Sequence, residues 1–274
     1  METERDLQEK VALSCQILAQ HGLVKASTGH VSCRVPGEDY ILVRGRPQVD
    51  KGLRFAQPES IIRVDLDGNP VGDTKGVRRV SEVFIHTEIY KRRPDVNCVI
   101  HAHPPGVVLC TITDLQLKLI SATHEPVVRR FFRQPGGIPT YGRTFTLHTV
   151  EEVLPMLDVM GKSDICVLQA HGIAAAGSSI ERATLLAIGF EGFARLNYWA
   201  SLRGVPLHDI PEEDKAELDR RAQFERLEDF HPLGGQIPEG AQSEGENAGW
   251  AYLMALLETG TPQFDNLAVG FRPM

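Results

Sequence analysis

Nothing in this chain of 274 residues is long and apolar enough to span a bilayer. The longest apolar stretch, Ile165 to Gly177, is short and is interrupted by Gln169 and His171. Basic residues are outnumbered, 29 Lys and Arg against 36 Asp and Glu, and the formal charge of −7 argues against a nucleic-acid surface. Cysteine is sparse: the five, at 15, 33, 98, 110 and 166, are odd in number, scattered and mostly inside apolar stretches. That is the usage of reduced, buried thiols and not of a disulfide framework. The opening METERDLQEK lacks an apolar segment, so a secretory leader is not expected and a cytoplasmic location is. What remains is an ordinary globular composition, 42% hydrophobic and 24% charged, with enough apolar content for a core.

Periodicity divides the chain into alternating elements. Leu7, Val11, Cys15 and Leu18 recur on one helical face, with Gly22 as a stop. Short strands are expected at His30–Val35, Tyr40–Val43 and Ile61–Val64, followed by a turn through Asp67 to Pro70. Ser81 is placed to cap a helix running to Tyr90, and Pro94 closes that segment. A strand through Val96 to His103, a helix from Pro105, a helix over Thr149 to Gly161, a strand over Asp164 to Leu168 and a long helix over Ile180 to Leu202 complete the body. Such alternation predicts an α/β sandwich with one central sheet. From about residue 204 to 247 the chain turns acidic and rich in Pro and Gly, and Trp250 to Glu258 recovers a helical pattern. The expected division is a catalytic domain over 1–203 and an acidic, partly helical extension over 204–274.

Histidines stand at the strand ends. In Val96-Asn-Cys-Val-Ile-His101-Ala-His103-Pro104 the two imidazoles share one strand face, whereas Cys98 has the opposite parity. Two convergent imidazoles at a strand end suit a divalent metal. His171 ends a second apolar strand just before Gly172. Three imidazoles leave a metal position open, which is the catalytic rather than the structural pattern. Glu82, in the expected first turn of a helix, could serve near a metal as ligand or as acid/base group, and a surface glutamate would look the same from composition alone. His86 and His148 read as surface or interface residues, and Phe193 and Trp199 as packing residues.

Taken in order, Gly29-x-Val-Ser, Asp65-Leu-Asp-Gly68, Ser81-Glu82, His101-x-His103-Pro104 and Ala170-His171-Gly172 resemble the class II aldolase/adducin family over about residues 5 to 200. The resemblance implies a three-layer α/β/α sandwich with a central, mainly antiparallel sheet. It also implies a homotetramer with sites at subunit interfaces and one divalent metal per chain, Mn2+ or Zn2+. His101, His103 and His171 would be the ligands, and Glu82 the acid/base group.

The chain departs from the sugar-phosphate aldolases of that family at several positions. His30 replaces an Asn, the phosphate loop reads Val43-Arg44-Gly45-Arg46, and Val80 replaces the first of two serines before Glu82. Thr123-His124-Glu125-Pro126 stands where those aldolases carry a His-Tyr pair, so His124 and Glu125 join Glu82 as catalytic candidates, with Tyr141 able to approach from elsewhere. Guanidinium forks in place of small donors favour carboxylates over a phosphate. The expected substrate is a small anion held by His30, Arg44, Arg46, Arg79, Ser81 and Tyr141. The expected reaction is metal-dependent decarboxylation of a hydroxylated aromatic or heteroaromatic (di)carboxylate, with the metal stabilising enolate-like charge. The alternatives are aldol cleavage of a non-phosphorylated hydroxy-carbonyl compound and an adducin-like interaction module without catalysis.

Overall fold

A computed structural model describes residues 2–121, 137–227 and 244–259. The candidates His124 and Glu125 lie outside the described residues. Helix α1 (Glu4–Gln20) starts in a capping box: the Asp6 N–H donates to the Thr3 hydroxyl and the Thr3 N–H to the Asp6 carboxylate. Its buried face holds Leu7, Val11, Cys15 and Leu18, the stripe the periodicity predicts. Burial of each such aliphatic side chain contributes about 1.5–3 kcal/mol. Strands β1 (His30–Arg34), β2 (Tyr40–Arg44) and β3 (Ile61–Asp65) follow, then α2 (Val83–Arg92), β4 (Cys98–Ala102) and α3 (Pro105–Ile112). Next come β5 (Thr140–Tyr141), α4 (Val150–Met160), β6 (Ile165–Leu168), β7 (Gly172–Gly177) and α5 (Ile180–Ser201). Helices α6 (Glu212–Leu227) and α7 (Glu244–Thr259) end the described chain.

The seven strands form one sheet in the order β3-β2-β1-β4-β7-β6-β5. Every pairing is antiparallel except β5 with β6. Strand alternation splits the core in two. One face carries Val31, Cys33, Leu42, Cys98, Ile100, Val167 and Ile173 against α1, α3 and α5, with α7 packed on α1 and α5. The other carries Ile41, Val43, Val99, Cys166 and Ala174 against α2 and α4. This is the three-layer sandwich expected. All five cysteines are buried and free. Among the described residues no helix is long and apolar enough to cross a membrane.

Several expectations change in detail. Ser81 does not cap α2; Glu82 occupies the N-cap position and makes no side-chain cap bond, because its carboxylate is turned to other partners. Strand β7 was not expected, since Ile-Ala-Ala-Ala lacks the branched and aromatic residues strands favour. The alanines are there because α5 crosses closely: a Cβ on Gly177 would lie 2.8 Å from the Ala183 nitrogen. Phe193 is buried as a packing residue should be, whereas Trp199 is 42% exposed on the solvent side of α5. Helix α7 packs on the body: its Trp250, Leu253, Met254 and Leu257 join the first core, and Gln20 Nε2 donates to the Leu256 carbonyl at 2.8 Å.

Candidate functional site

On the α2 face of the sheet, β1 and β4 are registered so that His30 stands directly opposite His101. Just beyond β4, the His103 N–H donates to the Leu23 carbonyl at 2.9 Å, which fixes the chain where it leaves the strand. His171 sits in the turn joining β6 to β7, after Ala170 in the left-handed region at φ 52°. Gly172 is required there: a Cβ would lie 2.1 Å from the Ala102 carbonyl oxygen. That close approach carries the His171 ring against His103, with ring centroids 5.0 Å apart and planes at 19°.

Glu82, His101, His103 and His171 are thereby brought together, each offering one ligand atom, all within 4.8 Å of one another. His101 Nε2 lies 3.1 Å from His103 Nε2 and 3.4 Å from Glu82 Oε2, and His171 Nε2 lies 3.9 Å from Glu82 Oε1. Zinc–nitrogen bonds of about 2.0–2.1 Å set neighbouring donors roughly 3.0–3.5 Å apart, so two of these three separations already suit an ion. His101 Nδ1 donates to the Ile173 carbonyl at 3.0 Å, which leaves the Nε2 lone pair facing the cluster. Burial, reinforced by His101 and His171, holds His103 down at about 3, and burial followed by His101 lowers His171. Imidazoles kept neutral in this way are ready ligands. Burial would raise Glu82, but His101, the Leu147 N–H at 3.0 Å and His171 outweigh it and hold its carboxyl at about 2. His171 Nδ1 is buried without a hydrogen-bond partner among the described residues. The donor set fits a divalent ion: three imidazoles and one carboxylate on a rigid strand-and-hairpin frame.

Next to this cluster Arg46, Arg78, Arg79, Val80, Ser81 and His148 line a cavity of about 360 Å³. Beyond β2 the chain pairs Arg46 with Arg78 through two backbone bonds of 2.6 and 2.9 Å. Gly45 permits the approach, since a Cβ would lie 2.8 Å from the Arg78 carbonyl oxygen. Arg46 Nε is buried without a partner among the described residues. Ser81 and Glu82 are consecutive, so the cationic cavity and the histidine cluster adjoin.

The other expected residues fall elsewhere. Arg44 is not brought to the site. It shares the strand face of Leu42, is 1% exposed, and binds the Asp50 carboxylate through both terminal nitrogens. The ring of Tyr141 packs in the core beneath α4. His86 is no surface residue: it is fully buried and bonded to His30 and Ser32. Sequence reasoning passed over Arg78 and His148 as lining residues. The Arg78-Arg79 doublet was a signal for the first; His148 is exposed, as expected, and carried none.

Residues 9–198 match the family model described as the class II aldolase and adducin N-terminal domain. The chain is 36% identical to a 3,4-dihydroxyphthalate decarboxylase from Arthrobacter keyseri over 220 residues, covering 79% of this chain and 87% of that one. It is 30% identical to an L-fuculose phosphate aldolase from Methanococcus maripaludis over 193 residues, covering 70% and 96%. An aldolase II superfamily protein from Pseudomonas syringae superposes with a TM-score of 0.76 over 97% of both chains at 22% identity, a likeness of fold alone. A match over most of the body, on a fold that brings the His and Glu residues of the motifs together, leaves one assignment: this chain belongs to the class II aldolase and adducin family.

Proposed function

We propose that this protein is a divalent-metal-dependent carbon–carbon lyase that decarboxylates a hydroxylated aromatic dicarboxylate. The observation that carries the reading is the junction of two unlike sites through Ser81 and Glu82. One is a three-imidazole cluster with a carboxylate, and the other an arginine-lined cavity. The similarity to a 3,4-dihydroxyphthalate decarboxylase supports it, because that protein's named substrate carries two carboxylates and two hydroxyls on one ring.

His101, His103 and His171 would hold the ion, with Glu82 at its side. A bound divalent cation supplies Lewis-acid stabilisation of the negative charge that develops as the carbon–carbon bond breaks. Arg46, Arg78 and Arg79 bind the carboxylate that is retained, in the forked geometry guanidinium offers. Ser81 adds a hydroxyl donor at the junction. Glu82, ionised, accepts a hydrogen bond from a substrate hydroxyl and orients the ring. When the ring–carboxylate bond breaks, its electron pair stays on the ring carbon, carbon dioxide leaves, and a proton adds to that carbon. His124 and Glu125 remain candidates for its delivery. Assembly as a homotetramer with sites at subunit interfaces, a cytoplasmic location, and manganese or zinc as the ion belong to the same reading.

The test is a panel of hydroxylated aromatic mono- and dicarboxylates offered to manganese- and zinc-loaded protein, with carbon dioxide and ring product measured. Release from dicarboxylates above monocarboxylates is expected. Silence across the panel from protein that holds its metal would reject the reading. An aldehyde product from hydroxy-carbonyl compounds would instead favour the aldolase reading that the L-fuculose phosphate aldolase similarity supports.

A further inference from the structure

Behind the cluster runs a buried line of polar groups. His30 Nδ1 and His86 Nε2 are 2.6 Å apart, His86 Nδ1 and Ser32 Oγ 2.6 Å, and Ser32 Oγ and the Tyr90 hydroxyl 2.8 Å. His30, Ser32, His86 and Tyr90 are each no more than 2% exposed. Counting protons gives the line a direction. The Tyr90 hydroxyl has Ser32 Oγ as its acceptor, with no other partner among the described residues, so Tyr90 donates. The Ser32 hydroxyl then donates onward to His86 Nδ1, because the Val99 carbonyl at 3.5 Å is too distant to compete with a 2.6 Å bond. With Nδ1 accepting, neutral His86 carries its hydrogen on Nε2 and donates to His30 Nδ1. The one hydrogen left to neutral His30 is on Nε2. The reverse polarity would strand the Tyr90 hydroxyl hydrogen in the core without an acceptor.

The His30 ring stands 5.1 Å from that of His101, and Arg46 of the cationic cavity is close enough to act on it electrostatically, as is His103. We propose that Tyr90, Ser32 and His86 form a one-directional hydrogen-bond chain that holds His30 as its Nε2–H tautomer, so that His30 presents an N–H donor to an anionic oxygen of the substrate. His86 is then a positioning residue acting through His30. The substrate's identity rests on the decarboxylase reading; the tautomer does not.

Two measurements separate the two. In zinc-loaded protein with isotope-labelled histidine, proton–nitrogen correlation spectra, assigned with His30→Gln, report which ring nitrogen of His30 is protonated. Nε2–H is expected in the native protein, and mixed or Nδ1–H character in His86→Phe. His86→Gln, which returns an amide N–H at the same reach, should restore Nε2–H. Ser32→Ala, a smaller change, should also mix the tautomers and serves if His86→Phe does not fold. Native His30 found as Nδ1–H, or its tautomer unmoved in both His86→Phe and Ser32→Ala, overturns the proposal. Against the dicarboxylate, His86→Phe should lower kcat/KM about tenfold, the size of one charge-assisted hydrogen bond, with His86→Gln recovering most of it. An inactive panel with the expected tautomers would sink the substrate reading and leave the chain standing. Full activity in a His86→Phe protein whose tautomer has shifted would reject His30 as the donor.

Discussion

Two arginines separated by one glycine do different work. Arg44 lies on the α1 side of the sheet, locked to Asp50, whereas Arg46 opens into the cavity beside Ser81. Arg44→Ala should therefore lower stability by about 1–3 kcal/mol, because the buried stem leaves a gap and the partly exposed Asp50 loses its charged partner, and leave KM nearly unchanged. Arg46→Ala should do the opposite, raising KM for a dicarboxylate about tenfold with little change in melting temperature. Denaturation curves and steady-state kinetics on the two variants decide it, and equal effects on both quantities would refute the division. His101 is the residue on which the cluster turns: its Nδ1 donates to the Ile173 carbonyl and its Nε2 faces both His103 and Glu82. His101→Ala is expected to lose the tightly held ion, measured by elemental analysis, and to reduce turnover at least a hundredfold. Retention of about one ion per chain would remove it from the ligand set.

At the scale of elements, the fold was legible where periodicity and caps agree. Thr149 heads α4 in a capping box with Glu152, and α1 buries the stripe its spacing announces. The nearness of His101 to His103 was legible for a related reason: strand parity puts the two on one side whatever their partners. What escaped was set by neighbours. The β7 alanines form a strand because β4 and β6 flank them and α5 presses close. Arg44 follows the parity of Leu42 under α1, which no loop resemblance conveys. His86 is hidden in the core because His30 and Ser32, fifty-odd residues earlier, offer it partners. The β6–β7 turn is the element that closes the cluster, and Gly172 is its tightest point. Gly172→Ala should cost about 1–3 kcal/mol through overpacking. By moving His171 it should also weaken metal affinity about tenfold or more. Titration with a competing chelator, beside a melting curve, tests both; native affinity in a destabilised variant would separate the turn from the cluster.

The molecule as a whole keeps an unusual number of imidazoles neutral. Burial, the largest cause in each, holds His30 well below the ordinary imidazole value, His21 at about 4, and His86 and His103 at about 3, and it lowers His171. Each of these groups binds a proton more readily in the unfolded chain, where its value is near 6.5. Their contribution is therefore fully present above about pH 6.5 and is lost as pH falls towards the folded values. For the fully buried His86 alone the loss at pH 5 is about 2 kcal/mol. Carboxylates such as Asp50 act in the same direction only lower, from about pH 4 downward. Burial raises Asp50, and the hydrogen bonds from Arg44 and the Gly52 N–H outweigh it and bring it below the usual carboxylate range. The metal-free protein should thus begin to lose melting temperature between pH 6.5 and 5, before acid reaches its carboxylates. Metal-loaded protein should start higher at pH 7.5 and fall more steeply, because protons compete with the ion for the same nitrogens. A melting temperature unchanged from pH 7.5 to 5 in the metal-free protein would mean that these histidines bind protons equally well in the folded and unfolded chain, and would reject burial as what holds them neutral.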